Sequence, residues 1–165
     1  MDPESLREVL TAPPQPRVDG RQSAAALAIA RGTMRLLRDA GFACLPELSL
    51  ASGRRADIAA MDAKGAIWII EIKSCADDFR SDRKWTDYRA HCDALLFAVD
   101  CDFPQLLLPS DAGLIVADAY GARLVREAPL HRLSATTRRA TALRFARAAA
   151  SRLHALTDTA AAELD

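Results

Sequence analysis

The sequence predicts a single α/β domain with a mixed central sheet and helices on both faces. Three observations support this fold class. The chain has 165 residues, which is the size of one domain. Half of its residues are hydrophobic, enough to build a core. Stretches with helical spacing alternate with short apolar runs in the order helix, three strands, helix, strand, two strands, helix.

The ends of the chain are expected to lie outside the folded domain. Residues 1–20 contain four of the eight prolines, which interrupt helices, and few side chains that need burial. We therefore expect a flexible proline-rich lead over residues 1–20 and a domain over 21–156. Residues 157–165 are expected to form an acidic tail.

The first predicted element is a helix over 22–40, because Leu27, Ala30, Met34 and Leu37 share one helical face. Gly41 is expected to end it. The remaining elements follow from apolar runs and capping residues. They are strands at 45–50, 54–61, 66–73, 93–99, 113–118 and 122–126, and helices at 76–91 and, after a Ser134 cap, 135–156.

Two turns predict how the first three strands align. Residues 62–65 have Asp first and Gly last, which favours a three-residue hairpin loop with a left-handed glycine. This loop places Asp57 directly opposite Glu71. A second three-residue loop, at 51–53, also ends in glycine and places Glu47 opposite Asp57. One face of the meander would then carry three carboxylates, with Lys73 two positions from Glu71.

This row of acids is the main candidate for chemistry. Like charges directly opposite one another destabilise a sheet unless a cation lies among them. Hard oxygen ligands suit Mg²⁺ or Mn²⁺, so Asp57, Glu71 and Glu47 are the predicted metal ligands. Lys73 would orient a water molecule or stabilise charge on a phosphate. The competing interpretation is a solvated strand, but residues 66–70 are apolar on both faces and predict a central strand.

The sequence also contains motifs that resemble those of a known family. Asp57, thirteen intervening residues and then Glu71-Ile72-Lys73 resemble the PD-(D/E)xK nuclease signature. More specifically, residues 20–156 resemble the bacterial MmcB family of DNA repair proteins. The matching segments are RRAD at 54–57, WIIEIKS at 68–74, DFRSDRKW at 78–85 and DAGLI at 111–115. The resemblance implies a restriction-endonuclease-like αβββαβ core and a metal-dependent endonuclease of DNA repair in the bacterial cytoplasm.

The chain departs from the superfamily pattern in two informative places. Some members carry an acid on the first helix, whereas residues 22–38 contain none, so Glu47 is the expected substitute. RecB-like members carry Gln and Tyr four residues apart on the helix after the lysine strand. Lys84 and Tyr88 have this spacing here, and Lys84 is expected to contact phosphate instead of positioning water.

Charge indicates where DNA would bind. The chain has 22 basic and 22 acidic residues, so binding through bulk charge is excluded and a local patch is required. Arg55, Arg83 and Lys84 are the expected phosphate contacts. Tyr88 is expected to help bind DNA, for example by stacking on an unpaired base. Five arginines between 134 and 156 are equally compatible with a solvated helix face and a phosphate-binding one.

Two classes of function remain open from the sequence. The first is a Mg²⁺- or Mn²⁺-dependent endonuclease that uses Asp57, Glu71, Lys73 and Glu47. The second is a catalytically inactive nuclease-fold component that binds DNA or a repair-protein partner, in which Lys73 only bridges carboxylates. A homodimer is compatible with both. Without an apolar run long enough for a membrane or a basic start typical of a signal peptide, we expect a cytoplasmic protein.

Overall fold

A computed structural model describes residues 23–82 and 84–162, with side chains described to residue 158. The predicted lead over 1–20 lies outside the described residues. One sheet holds six strands in the spatial order in which they occur in the chain. They are β1 (Ala43–Ser49), β2 (Arg55–Met61), β3 (Ile67–Ile72), β4 (Ala94–Val99), β5 (Gly113–Ala117) and β6 (Ala122–Arg126).

Three α-helices accompany the sheet: α1 (Ala24–Asp39), α2 (Ala76–Ser81) and α3 (Ala135–Ala162). Short 3₁₀ segments occupy Trp85–His91 and Gln105–Leu107. Ser23 caps α1 by accepting the N–H of Ala26. The predicted fold class is confirmed, including the αβββαβ order at the start of the domain. Among the described residues, none of the helices has the length and apolar character needed to cross a membrane.

The sheet is mixed. Strand β2 is antiparallel to both β1 and β3, β4 is parallel to β3 and β5, and β6 returns antiparallel to β5. Because β3, β4 and β5 run in the same direction, their carboxyl ends meet at one edge of the sheet. Polar side chains just beyond these three strands are thereby brought to the same side of the molecule.

The predicted strand registers are confirmed. Ile58 pairs with Ile70 across β2 and β3, and Leu48 pairs with Ala56 across β1 and β2. Both hairpin loops end in a left-handed glycine, with φ of 81° at Gly53 and 79° at Gly65. The loop length and these glycines together set the alignment on which the acid row depends.

Apolar side chains fill the space on both faces of the sheet. On one face, Ile29 and Leu37 of α1 pack against alternate residues of the central strands. On the other face, Phe145 of α3 and Tyr88 of the 3₁₀ segment pack against Ile69 and its neighbours. This arrangement follows from the period-2 alternation of strands that are apolar on both faces.

Two elements differ from the prediction. The expected helix over 76–91 is interrupted, because Asp82 takes an extended conformation with ψ of 91°. Its carboxylate accepts from Lys73 and from the backbone N–H of Lys84, and these bonds stabilise the break. At the other end, α3 continues to Ala162 where an acidic tail was expected from 157. Alanine-rich sequence has high helix propensity, which accounts for the extension.

Candidate active site

The candidate site lies where β2 and β3 separate. The backbone pairing of these strands ends at Ile58 and Ile70. Beyond this pair, the side chains of Asp57 and Glu71 accept hydrogen bonds from the backbone of the opposite strand. The N–H of Ile72 donates to Asp57 Oδ2 at 2.8 Å, and the N–H of Asp57 donates to Glu71 Oε1 at 3.4 Å. The structure therefore brings Asp57 and Glu71 together, as their predicted opposition requires.

A cavity of about 370 Å³ opens beside these two acids. Besides Asp57 and residues 71–75, its walls include Ser23 and Ala26 at the start of α1 and Asp78 of α2. The predicted trio of Asp57, Glu71 and Lys73 thus faces one cavity at the carboxyl end of β3.

Burial disfavours the charged form of both carboxyl groups. Glu71 is 3% exposed, and burial, together with the charge of Asp57, raises its pKa to about 9 despite the nearby Lys73 ammonium. Burial also raises the pKa of Asp57, although the Ile72 N–H and Lys73 act in the opposite direction. Glu71 is consequently protonated at neutral pH unless a cation approaches the pair.

Lys73 forms an ion pair with Asp82, which the sequence analysis did not predict. Its Nζ lies 2.6 Å from Asp82 Oδ2, and its side chain is 6% exposed. Burial alone would lower the pKa of Lys73. The hydrogen bond and charge of Asp82, with smaller effects from Asp78 and Glu71, outweigh burial and raise it. The ammonium group is therefore charged and fixed in place.

Tyr88 lies against the acids instead of on the surface. Its side chain is buried and its hydroxyl donates to the carbonyl of Arg55 at 3.0 Å. Burial raises the pKa of Tyr88, and the charges of Glu71 and Asp57 add to this effect. The expectation that Tyr88 stacks on a base is corrected, because the packing that covers its ring leaves no face for a base.

Glu47 is not brought into the cavity, although its neighbours in β1 have the predicted register. Its backbone is left-handed, with φ of 51°, which redirects the side chain. Its carboxylate lies 3.8 Å from the Arg55 guanidinium. Arg152 of α3 donates to the carbonyls of Pro46 and Glu47 and holds this distortion, so Arg152 has a structural contact as well as charge.

Two of the three residues that are expected to contact phosphate lie on the surface. The Arg55 side chain is 47% exposed and Lys84 is exposed, and both flank the elements that hold the acids. Arg83 lies outside the described residues. Two acids after β3 were not anticipated: Asp78 of α2 lines the cavity, and Asp82, directly after α2, binds Lys73. The available signal was that these two acids lie four residues apart in the charged segment that follows the lysine strand.

The two carboxyl groups suit a Mg²⁺ ion that keeps several water ligands, but they cannot enclose a metal ion by themselves. In the part of the chain that the structure describes, no group of three or more His, Cys, Asp or Glu side chains could hold a metal ion. The predicted set of three carboxylates is thus not assembled. Mg²⁺, however, is usually bound through one or two carboxylates together with waters and substrate phosphates. Asp57 and Glu71 meet that requirement, and a cation between them would allow both carboxyl groups to be ionised.

Comparisons with known proteins identify a family and a similar fold. A family model described as DNA repair protein MmcB-like matches residues 13–160. A solved structure of the SPO1766 protein of unknown function from Silicibacter pomeroyi is similar to this chain, with a TM-score of 0.80 and 43% identity. The match covers 84% of this chain and 94% of that one. No curated protein matches the chain significantly.

Proposed function

The chain belongs to the MmcB-like family of DNA repair proteins, and on that premise we propose that it is a metal-dependent endonuclease of the PD-(D/E)xK type. Its substrate would be DNA, its cofactor Mg²⁺ or Mn²⁺, and its setting a bacterial cytoplasm. The observation that supports this proposal is the cavity shared by Asp57, Glu71 and Lys73 at the carboxyl end of β3. Each of these groups has a shifted pKa, which is common at catalytic centres.

Each residue has a defined part in the proposed hydrolysis. Asp57 and Glu71 would hold the metal, which lowers the pKa of water and stabilises negative charge. Glu71 would release its proton as the cation binds. The Lys73 ammonium would stabilise the charge that develops on the phosphate. Arg55, Lys84 and, from the sequence, Arg83 would bind neighbouring phosphates and position the strand.

A second candidate is a catalytically inactive member that binds DNA or a repair-protein partner. One observation favours it: the Lys73 ammonium is already paired with Asp82, as a purely structural lysine would be. In that case the carboxylates and the ammonium would stabilise the fold without reacting. A homodimer is compatible with either candidate.

Cleavage assays distinguish the two candidates. Supercoiled, branched and single-stranded DNA would be incubated with Mg²⁺ or Mn²⁺ and the products separated by electrophoresis. A nuclease should lose about a hundredfold or more of its rate in Asp57→Asn, Glu71→Gln and Lys73→Met. The matched control is Glu127→Gln, an exposed acid after β6, which should cut as the wild type does. Absence of cutting in every protein and substrate would favour the inactive component.

A further inference from the structure

A second and larger cavity, of about 670 Å³, lies at the carboxyl ends of β4 and β5. This groove, called here the hairpin groove, separates the first half of α1 from the hairpin of β5 and β6. Its walls are formed by Ala25, Ala28 and Ile29 of α1, residues 116–118 and 120–123 of the hairpin, and Asp100 and Cys101. Nothing in the proposed hydrolysis uses these residues.

The groove lies at the same edge of the sheet as the candidate site. The candidate site lies at the end of β3, and the hairpin groove lies at the ends of β4 and β5. Neighbouring strands are about 4.8 Å apart, so the ends of β3 and β5 lie roughly 10 Å apart. This distance corresponds to about three nucleotides of a strand that stays stacked as in B-DNA, where nucleotides rise about 3.4 Å.

The groove is lined by several small apolar side chains and by one exposed aromatic ring. Four alanines, at 25, 28, 117 and 122, line it with side chains of a single carbon. Tyr120, at the tip of the hairpin, is 87% exposed. Small apolar side chains beside an exposed aromatic ring leave room for a flat heterocycle to stack on that ring.

The backbone that presents Tyr120 is firmly held. Asp118 Oδ1 accepts the N–H groups of Tyr120 and Gly121 at 2.7 and 2.8 Å. Arg35 of α1 donates to the carbonyls of Ala119 and Tyr120 at 3.1 and 3.0 Å. Gly32 of α1 allows this close approach, because a Cβ there would lie 2.2 Å from the Asp118 carbonyl oxygen. The ring is exposed on a support that is already ordered, which lowers the entropic cost of binding.

We propose that the hairpin groove binds an unpaired base of the DNA strand engaged at the candidate site, stacked on Tyr120. The inference rests on the proposed function and specifies its substrate class as single-stranded or branched DNA. Asp100 and Asp118, which also line the groove, repel a phosphate, whereas they can accept hydrogen bonds from the amino groups of a base. Arg123, exposed on the rim, provides the positive charge for a flanking phosphate. A base in an intact duplex is already stacked on its neighbours and gains nothing from Tyr120.

Fluorescence anisotropy tests the inference in EDTA, where hydrolysis does not interfere. The probes are a short labelled single strand of mixed sequence, which contains bases with amino groups, and a duplex of equal length. Base stacking on an aromatic side chain contributes about 1–3 kcal/mol, so Tyr120→Ala should weaken binding of the single strand about 5- to 150-fold. Tyr120→Phe should bind as the wild type does, and so should Leu106→Ala, a fully exposed control away from the groove. Duplex binding should stay the same in all variants.

A scan with abasic sites shows whether one base occupies the groove. Removing the base at a single position should weaken wild-type binding as much as Tyr120→Ala does, and should have no further effect in that variant. Equal binding of wild type and Tyr120→Ala to the single strand, or equal losses on both probes, would overturn this inference alone. Failure of the wild type to bind any DNA would overturn the proposed function as well.

Discussion

Replacement of Glu71 by glutamine is expected to change how the stability of the metal-free protein depends on pH. Burial of Glu71 beside Asp57 raises its pKa from 4.5 in the unfolded chain to about 9 in the folded protein. An acid whose pKa rises on folding stabilises the fold fully below its unfolded pKa, and this contribution is lost as pH rises toward the folded value. Glutamine resembles the protonated acid in shape and does not titrate.

The size of the effect follows from the two pKa values. Within this window the wild type loses roughly 1.4 kcal/mol of unfolding free energy per pH unit through Glu71. Between about pH 5.5 and about pH 8, the loss amounts to roughly 3 kcal/mol. Glu71→Gln lacks this loss, so the variant should be the more stable protein at the higher pH. Other groups titrate in both proteins, so the difference between the two curves isolates Glu71.

Urea unfolding in EDTA, followed by tryptophan fluorescence, measures this difference at both pH values. Glu127→Gln removes an exposed acid and should behave as the wild type does. Addition of Mn²⁺ should then stabilise the wild type, because the metal binds only the folded state, but should have little effect on Glu71→Gln. Parallel pH dependence in wild type and Glu71→Gln would refute the argument that Glu71 is buried and protonated.

Three further substitutions test the contacts around the site, each by urea unfolding. Asp82→Asn leaves the buried Lys73 ammonium without its charged partner and should lower the unfolding free energy by about 1.5–3 kcal/mol near neutral pH. Stability equal to the wild type would show that the ion pair contributes nothing. Gly32→Ala places a Cβ 2.2 Å from the Asp118 carbonyl and should cost about 2 kcal/mol or more. A neutral result would mean that α1 and the hairpin are less closely packed than described. Asp93→Ala removes a buried carboxylate that accepts from the Ile67 N–H, the Leu133 N–H and Arg138, and should cost about 3 kcal/mol or more. A loss below about 1 kcal/mol would contradict the role of Asp93 in joining β3 to the start of α3.

The pairing of Asp57 with Glu71 was predictable because it depends on local chemistry. A three-residue loop that ends in glycine leaves few registers for the flanking strands, and Gly65 has the required left-handed conformation. The alternation of a strand then places both acids without any knowledge of the rest of the fold. Family resemblance and strand register led independently to the same residues.

The positions of Glu47 and Asp82 depend on tertiary contacts that strand and helix patterns do not specify. The neighbours of Glu47 have the expected register, but Arg152, over a hundred residues later, binds the backbone at Glu47, where φ is positive. Asp82 meets Lys73 only because the helix after β3 stops at Ser81, and the ion pair itself helps to stop it. Tyr88 shows the same limit, because its burial depends on how the 3₁₀ segment packs on the sheet.

Anomalous scattering from crystals soaked in Mn²⁺ at neutral pH tests the central claim most directly. The expected result is one strong peak between the carboxylates of Asp57 and Glu71, lost in crystals of Asp57→Asn. A soaked crystal in which this position stays empty, or in which Mn²⁺ binds elsewhere and Asp57→Asn has no effect, would contradict the account.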